Sequence, residues 1–143
     1  HTAIVATSAF GKSRVKSALA AEGHTAMERI LHEIRLAHDI DEEASVFGAH
    51  PGVLKLLTSV SASDATETAR TFDLSSGALR MRESVEDPIP LSGGVEITEL
   101  VFYAIDILGA PKAVRVKLTA ESSYKTLNDT RTFYGTAVLR GGY

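Results

Sequence analysis

Apolar side chains in the first forty residues recur with a helical period, and after Asp39 the period changes to that of strands. At 100° per residue, Leu19, Gly23, Ala26, Met27, Ile30, Leu31, Ile34 and Ala37 fall in one stripe, and no proline interrupts the chain from Gly11 to His38. A helix from Gly11 to Asp39 would be about 40 Å long at a rise of about 1.5 Å per residue. Such a stripe must be buried against another element, which sets the first condition on the fold. Upstream of Leu19 the stripe fails, because Lys12 and Lys16 lie on the same face. Two lysines cannot be buried there without partners, so the early turns are expected to protrude from the domain.

The remainder reads as strands and turns. Gly48, Pro51 and Gly52 mark a turn after the acidic stretch Asp39, Asp41, Glu42 and Glu43, and Gly52–Val60 follows as a mostly apolar strand. Thr71–Leu74 and Ala78–Arg82 flank Ser75-Ser76-Gly77, a hairpin signal with a glycine free to take positive φ. Two prolines and two glycines make Glu83–Gly94 a loop. Val95–Ile107 is the strongest strand, with Val95 and Ile97 and then Val101, Tyr103 and Ile105 on one face and room for a bulge between the two groups. Ala113–Glu121 alternates Val114, Val116, Leu118 and Ala120 against Arg115, Lys117, Thr119 and Glu121. Ser122–Asp129 reads as a polar loop and Thr130–Arg140 as the last strand. Consecutive hairpins predict an antiparallel meander. The expected fold is α+β: a single domain over 1–143, with the long N-terminal helix of 1–39 packed across the antiparallel sheet of 40–143.

Composition limits the chemistry. The 143 residues suit one domain, and 44% hydrophobic residues with 23% charged exclude a disordered tail. With 15 basic and 18 acidic residues, a net charge of −3 gives no general attraction for nucleic acid or anionic membrane. Zero cysteines exclude disulfides, thiolate catalysis and Cys-ligated metal. No apolar run approaches the ~18 residues of a membrane-spanning helix. No signal peptide is visible, and the start at His1 leads us to expect that a segment upstream has been removed.

The order of elements resembles a known family. Ile30-Leu31-His32-Glu33-Ile34-Arg35-Leu36-Ala37 at the helix end is followed by Ser45-Val46-Phe47-Gly48-Ala49-His50-Pro51-Gly52-Val53-Leu54 and then by Thr71-Phe72-Asp73-Leu74-Ser75-Ser76-Gly77-Ala78-Leu79-Arg80. Glu99-Leu100-Val101-Phe102-Tyr103 leads to Ala113-Val114-Arg115-Val116-Lys117-Leu118-Thr119, to Arg131-Thr132-Phe133 and to Val138-Leu139-Arg140. This series is similar to the soluble part of type IV pilin-like proteins, especially minor pilins and the minor pseudopilins of type II secretion, over about residues 15 to 140. The family's cleavage site, methylated first residue and apolar half-helix are not in this sequence. The resemblance implies a pilin-like fold and a non-enzymatic structural subunit working by packing against other pilin or pseudopilin subunits, as a tip or priming component. It also implies an inner-membrane anchor through a helix segment absent from this chain, with the domain in the periplasm or on a surface filament. Phe10, Val15 and Ala18, on the helix ahead of the core stripe, are the expected subunit contacts.

Other candidate sites weigh less. His24, Glu28 and His32 lie at i, i+4, i+8 on one ridge, a spacing that can hold a divalent ion. The ridge is opposite the apolar stripe, so a solvated face is the expected reading. Asp39, Asp41 and Glu42 form an oxygen-rich cluster suited to calcium. In those pseudopilins that bind calcium the ligands come from a loop late in the sheet, which here is Ser122–Asp129 and offers only Asn128 and Asp129, so no cofactor is expected. Ser75-Ser76-Gly77 lacks the surroundings of a nucleophile, and Ser92-Gly93-Gly94 leads into a strand, so no enzyme is expected. Arg80, Arg82, Arg115 and Lys117 alternate outward on two strands. They carry the alternative reading, a binding module for DNA, glycan or protein acting through its loops or a basic sheet face.

Overall fold

The computed structural model describes residues 2–59, 63, 66–106, 112–124 and 127–140, with the side chains of all of these except 2–15, 18, 124 and 127. One helix, α1 (Thr2–Leu36), precedes eight strands: β1 (Asp39–Ile40), β2 (Leu54–Ser59), β3 (Glu67–Ser75), β4 (Ala78–Glu83), β5 (Ile89–Pro90), β6 (Glu96–Ile105), β7 (Ala113–Tyr124) and β8 (Leu127–Val138). The strands divide into a five-stranded sheet in the order β1-β2-β3-β4-β5 and a three-stranded sheet in the order β6-β7-β8. Every pairing is antiparallel and joins consecutive strands.

This corrects the expected fold class. The protein is mostly antiparallel strand in two sheets, and a long helix packed across one sheet does not describe it. The division falls in 88–94, where Pro88 and Pro90 withhold backbone donors and Gly94 takes φ 72°. These residues end the first meander after the two-residue β5, and the chain starts a second sheet instead of a sixth strand. The sheets still meet: Ile97 N donates to the Gly77 carbonyl at 2.8 Å, and Gly52 N donates to the Leu100 carbonyl at 2.8 Å.

Leu19, Ala26, Met27, Ile30, Leu31, Ile34 and Ala37 of the stripe are all buried. They join one core with Leu54, Leu56, Phe72 and Leu79 of the first sheet and Ile97, Leu100, Phe102, Val114, Val116, Leu118 and Ala120 of the second. Two glycines allow the helix and β8 to approach closely. A Cβ at Gly23 would sit 2.2 Å from the Phe133 ring, and one at Gly135 would sit 2.8 Å from Leu31 Cδ1. The helix closes where Ala37 N donates to the Glu33 and Ile34 carbonyls, and His38 N then donates to the Leu57 carbonyl to begin β1.

Local expectations met varied outcomes. The β3–β4 hairpin turns through Ser76 and Gly77, at φ 50° and 77°. The β6 register shifts between Ile97 and Glu99. That bulge changes which residues face inward: Leu100 and Phe102 are fully buried, while Tyr103 and Ile105 are exposed. Residues 122–124 and 127–129, read as loop, belong to β7 and β8, which pair from Ala113↔Val138 to Tyr124↔Leu127. Their polar side chains conceal a long hairpin whose stability comes from the apolar inner face nearer its base.

Candidate functional site

The residues expected to contact other subunits belong to α1. Among its described side chains Lys16 and Ser17 are exposed and Leu19 is buried. Phe10, Val15 and Ala18 lie in the helical backbone of α1, but their side chains fall outside the described ones. Lys16 and Leu19 line a cavity of about 230 Å³ with Asp129, Thr130 and Arg131, near the far end of the β7–β8 hairpin. Along α1 the neighbours then advance with β8: Gly23 beside Phe133, Met27 and Leu31 beside Gly135, and Ala37 accepting from Arg140 N. Helix and strand therefore run side by side in the same direction.

His24, Glu28 and His32 are exposed along one ridge, as the period requires. Among the described residues no group of three His, Cys, Asp or Glu side chains is arranged to hold a metal ion. The acidic cluster is engaged by lysines. Lys112 Nζ reaches Glu42 Oε1 at 2.8 Å and Asp39 Oδ1 at 3.8 Å, while Lys55 Nζ meets Asp41 Oδ2 at 3.3 Å. Its hydrogen bond to Glu42 raises the Lys112 pKa above the ordinary lysine value against a smaller desolvation, with the Glu42 and Asp39 charges adding to the rise. Asp41 also organises its own turn, with Oδ1 accepting from Ala44 N at 3.2 Å.

The four basic residues do not form one patch. Arg80 and Arg82 lie on β4 of the first sheet, and Arg115 and Lys117 on β7 of the second. Arg80 is held in a fork by Asp73, with Nε donating to Oδ1 at 3.0 Å and Nη2 to Oδ2 at 2.8 Å. That hydrogen bonding raises its pKa above the ordinary arginine value. Lys117 Nζ meets Glu99 Oε1 at 2.8 Å. Arg115 lies over the Tyr134 ring, 5.1 Å from its centroid. Arg82 is exposed and borders an open groove of about 480 Å³ on the outer face of the first sheet, lined also by Lys55, Glu67, Thr71, Asp73 and Ser84. With Glu67 and Asp73 in that groove, its charge is mixed.

No family model, curated protein or solved structure matches the chain. Among the described residues no helix is long and apolar enough to cross a membrane.

Sequence reasoning missed two features. One is an interior ion pair: Glu33, only 3% exposed, accepts from Arg70 Nη1 on β3, and Arg29 Nε lies 3.5 Å from its other oxygen. The signal was present, since Glu33 sits between Ile30 and Ile34 beside the apolar stripe, but finding its partner needed the fold. The other is the outer face of the second sheet, where Tyr103, Ile105, Tyr134 and Val138 are exposed around Arg115. The bulge in β6 turns Tyr103 and Ile105 outward, and its exact position cannot be read from an alternating pattern.

Proposed function

We propose that the chain is the globular part of a structural subunit of a type IV pilus or type II secretion pseudopilus, a minor tip or priming component that works by packing against neighbouring subunits. The reading draws on the order of sequence segments and on the helix, and it makes no claim on the sheet arrangement. The observation that carries it is the change along α1 where it meets the core: Lys16 and Ser17 are exposed, and Leu19 is buried. The turns ahead of Leu19 are the natural contact with other subunits, through Phe10, Val15 and Ala18. Such helix–helix association inside a filament takes the place of lipid contacts made in an inner membrane.

The test is Val15→Asp in the native host. Filament incorporation should fall sharply while the isolated chain keeps its circular dichroism spectrum and melting temperature. Unchanged incorporation, or loss of folding in the isolated chain, would sink the proposal. Mass mapping of the native protein's N-terminus supplies a second check, since the reading requires an apolar helical segment ahead of the residues described here.

The alternative, a binding module for DNA, glycan or protein, draws on the exposed Tyr103 and Tyr134 with Arg115 between their strands. Salt-dependent retention on single-stranded DNA would favour its nucleic-acid form, and absence of binding at low salt would remove that form.

A further inference from the structure

The two sheets have four outer edges, of which two are very short and one is covered. β1 and β5 are two residues each, and β5 ends in Pro90, which has no N–H to offer. The outer edge of β6 is covered by residues 48–52. Gly48 N and Gly52 N donate to the Phe102 and Leu100 carbonyls at 2.8 Å, and Leu100 N donates to His50 Nδ1 at 3.0 Å.

The fourth edge, β8, is of another kind. It runs for twelve residues, Leu127–Val138, in unbroken register with β7, with no proline, lysine or bulge. Among the described residues no other strand or loop takes its outer side. Sheets ordinarily blunt so long an edge with one of those devices, because its free N–H and C=O groups form a template for another strand.

Its charges are placed for one particular strand. Asp129 and Arg131 are two residues apart, so they project from the same side of β8, and neither is ion-paired with a described residue. Arg131 rests against its own strand, 5.0 Å from the Phe133 ring centroid. Asp129 Oδ1 accepts from the Thr130 amide at 2.9 Å. A two-fold axis through Thr130 would set Asp129 opposite Arg131 of a second copy, and Arg131 opposite its Asp129. Directly opposite residues in an antiparallel pair project to the same side, so both ion pairs form together. The Thr130 amide could exchange its own strand's carboxylate for a carbonyl of the partner strand, freeing Asp129 to meet arginine.

We propose that β8 is a self-association edge, at which two copies of this chain pair antiparallel about Thr130 over Leu127–Phe133 and join their three-stranded sheets into one of six. The two-fold self-complementarity of Asp129 and Arg131 selects a second copy as the occupant. A ladder this short falls below the about 1,600 Å² of a standard interface, so the dimer is weak and forms toward millimolar concentration. It does not depend on the filament reading, because it is measured on the isolated chain.

Sedimentation equilibrium at low salt, from micromolar to millimolar protein, tests the proposal. The chain should dimerise, and Arg131→Asp or Asp129→Arg alone should raise the dissociation constant about tenfold, since each turns two attractions into two repulsions. The double variant, carrying both reversals, should return it to within about threefold of the original. Should a reversal lower the melting temperature markedly, Arg131→Gln and Asp129→Asn take its place, with about threefold weakening expected from each. A chain that stays monomeric throughout, a dimer indifferent to the single variants, or a double reversal that fails to restore association would overturn the proposal.

Discussion

The carboxylate of Glu33, on the helix, meets the guanidinium of Arg70, on β3, inside the molecule, and Arg29 lies 3.5 Å from the carboxylate's other oxygen. Glu33 is almost fully buried, whereas the Arg70 side chain keeps 24% of its surface exposed. The pair ties the helix to the first sheet, while Gly23 and Gly135 bring it against the second. Removing Arg70 strands a buried carboxylate with only the half-exposed Arg29 for company. Arg70→Met should therefore cost about 3 kcal/mol in urea unfolding, as breaking a buried pair generally does. Because Arg70 Nε also lacks a partner, Glu33→Leu with Arg70→Met should cost much less than Arg70→Met alone. Equal losses in the single and double variants would show that the pair's charges do not govern stability here.

Gly23→Ala sets helix propensity against packing. Alanine in a helix interior is favoured over glycine by about 1 kcal/mol. Its Cβ, however, would meet the Phe133 ring at 2.2 and 2.3 Å, well inside contact distance. The ring must move, and overpacking of this kind costs about 1–3 kcal/mol. The variant should therefore melt lower than the parent, and Phe133→Leu, which withdraws the ring edge, should restore part of the loss. A higher melting temperature for Gly23→Ala alone would mean that the helix and β8 are less closely apposed than described.

The two periods made much of this legible, and they failed where a single residue changes the phase. The helix stripe from Leu19 to Ala37 and the inward row Val114, Val116, Leu118 and Ala120 are buried as their spacing requires. In β6 one bulge between Ile97 and Glu99 reverses the faces, so Leu100 and Phe102 face the core and Tyr103 faces water. The division into two sheets was not legible, because hairpin signals specify neighbours along the chain and say nothing of where a meander stops. The candidate sites were legible only as positions. Spacing put Arg80, Arg82, Arg115 and Lys117 outward, but pairing with Asp73 and Glu99 is a property of register, set by Asp73↔Arg80 and by the shifted β6.

Ser92 shows how a short polar residue holds the junction between the sheets. It is buried, and its Oγ accepts from Leu79 N at 2.9 Å, while Leu91 N donates to the Leu79 carbonyl at 2.7 Å. β4 is thereby satisfied where β5 has ended. Ser92→Ala leaves the Leu79 amide buried without that acceptor, at a cost of about 1–3 kcal/mol. Hydrogen exchange should localise the effect, with faster exchange at Leu79 than in the parent and little change in β7. Unaltered protection at Leu79 would mean that another acceptor replaces the serine.

Glu99 and Lys117 make stability depend on pH in a direction that can be worked out. Its hydrogen bond to Lys117 lowers the Glu99 pKa below the ordinary glutamate value against a smaller desolvation, and the charges of Lys117 and His50 lower it further. The same hydrogen bond, with the Glu99 charge, raises that of Lys117. A carboxylate with a depressed pKa in the folded state contributes in full above its unfolded value, about 4.3, and loses that contribution as pH falls through the folded value. The lysine contributes below its unfolded value, about 10.4, and loses the contribution as pH rises through the folded one. Between these limits the pair's contribution is flat. Melting temperatures of the parent and Glu99→Gln should therefore differ by a nearly constant amount around neutral pH and converge only as pH falls below the lowered folded value of Glu99, where both chains carry a neutral side chain at position 99. Because the pair lies at the surface, 1 M salt should shrink the difference at neutral pH. A gap that persists undiminished in acid would assign the effect of the substitution to packing rather than to charge.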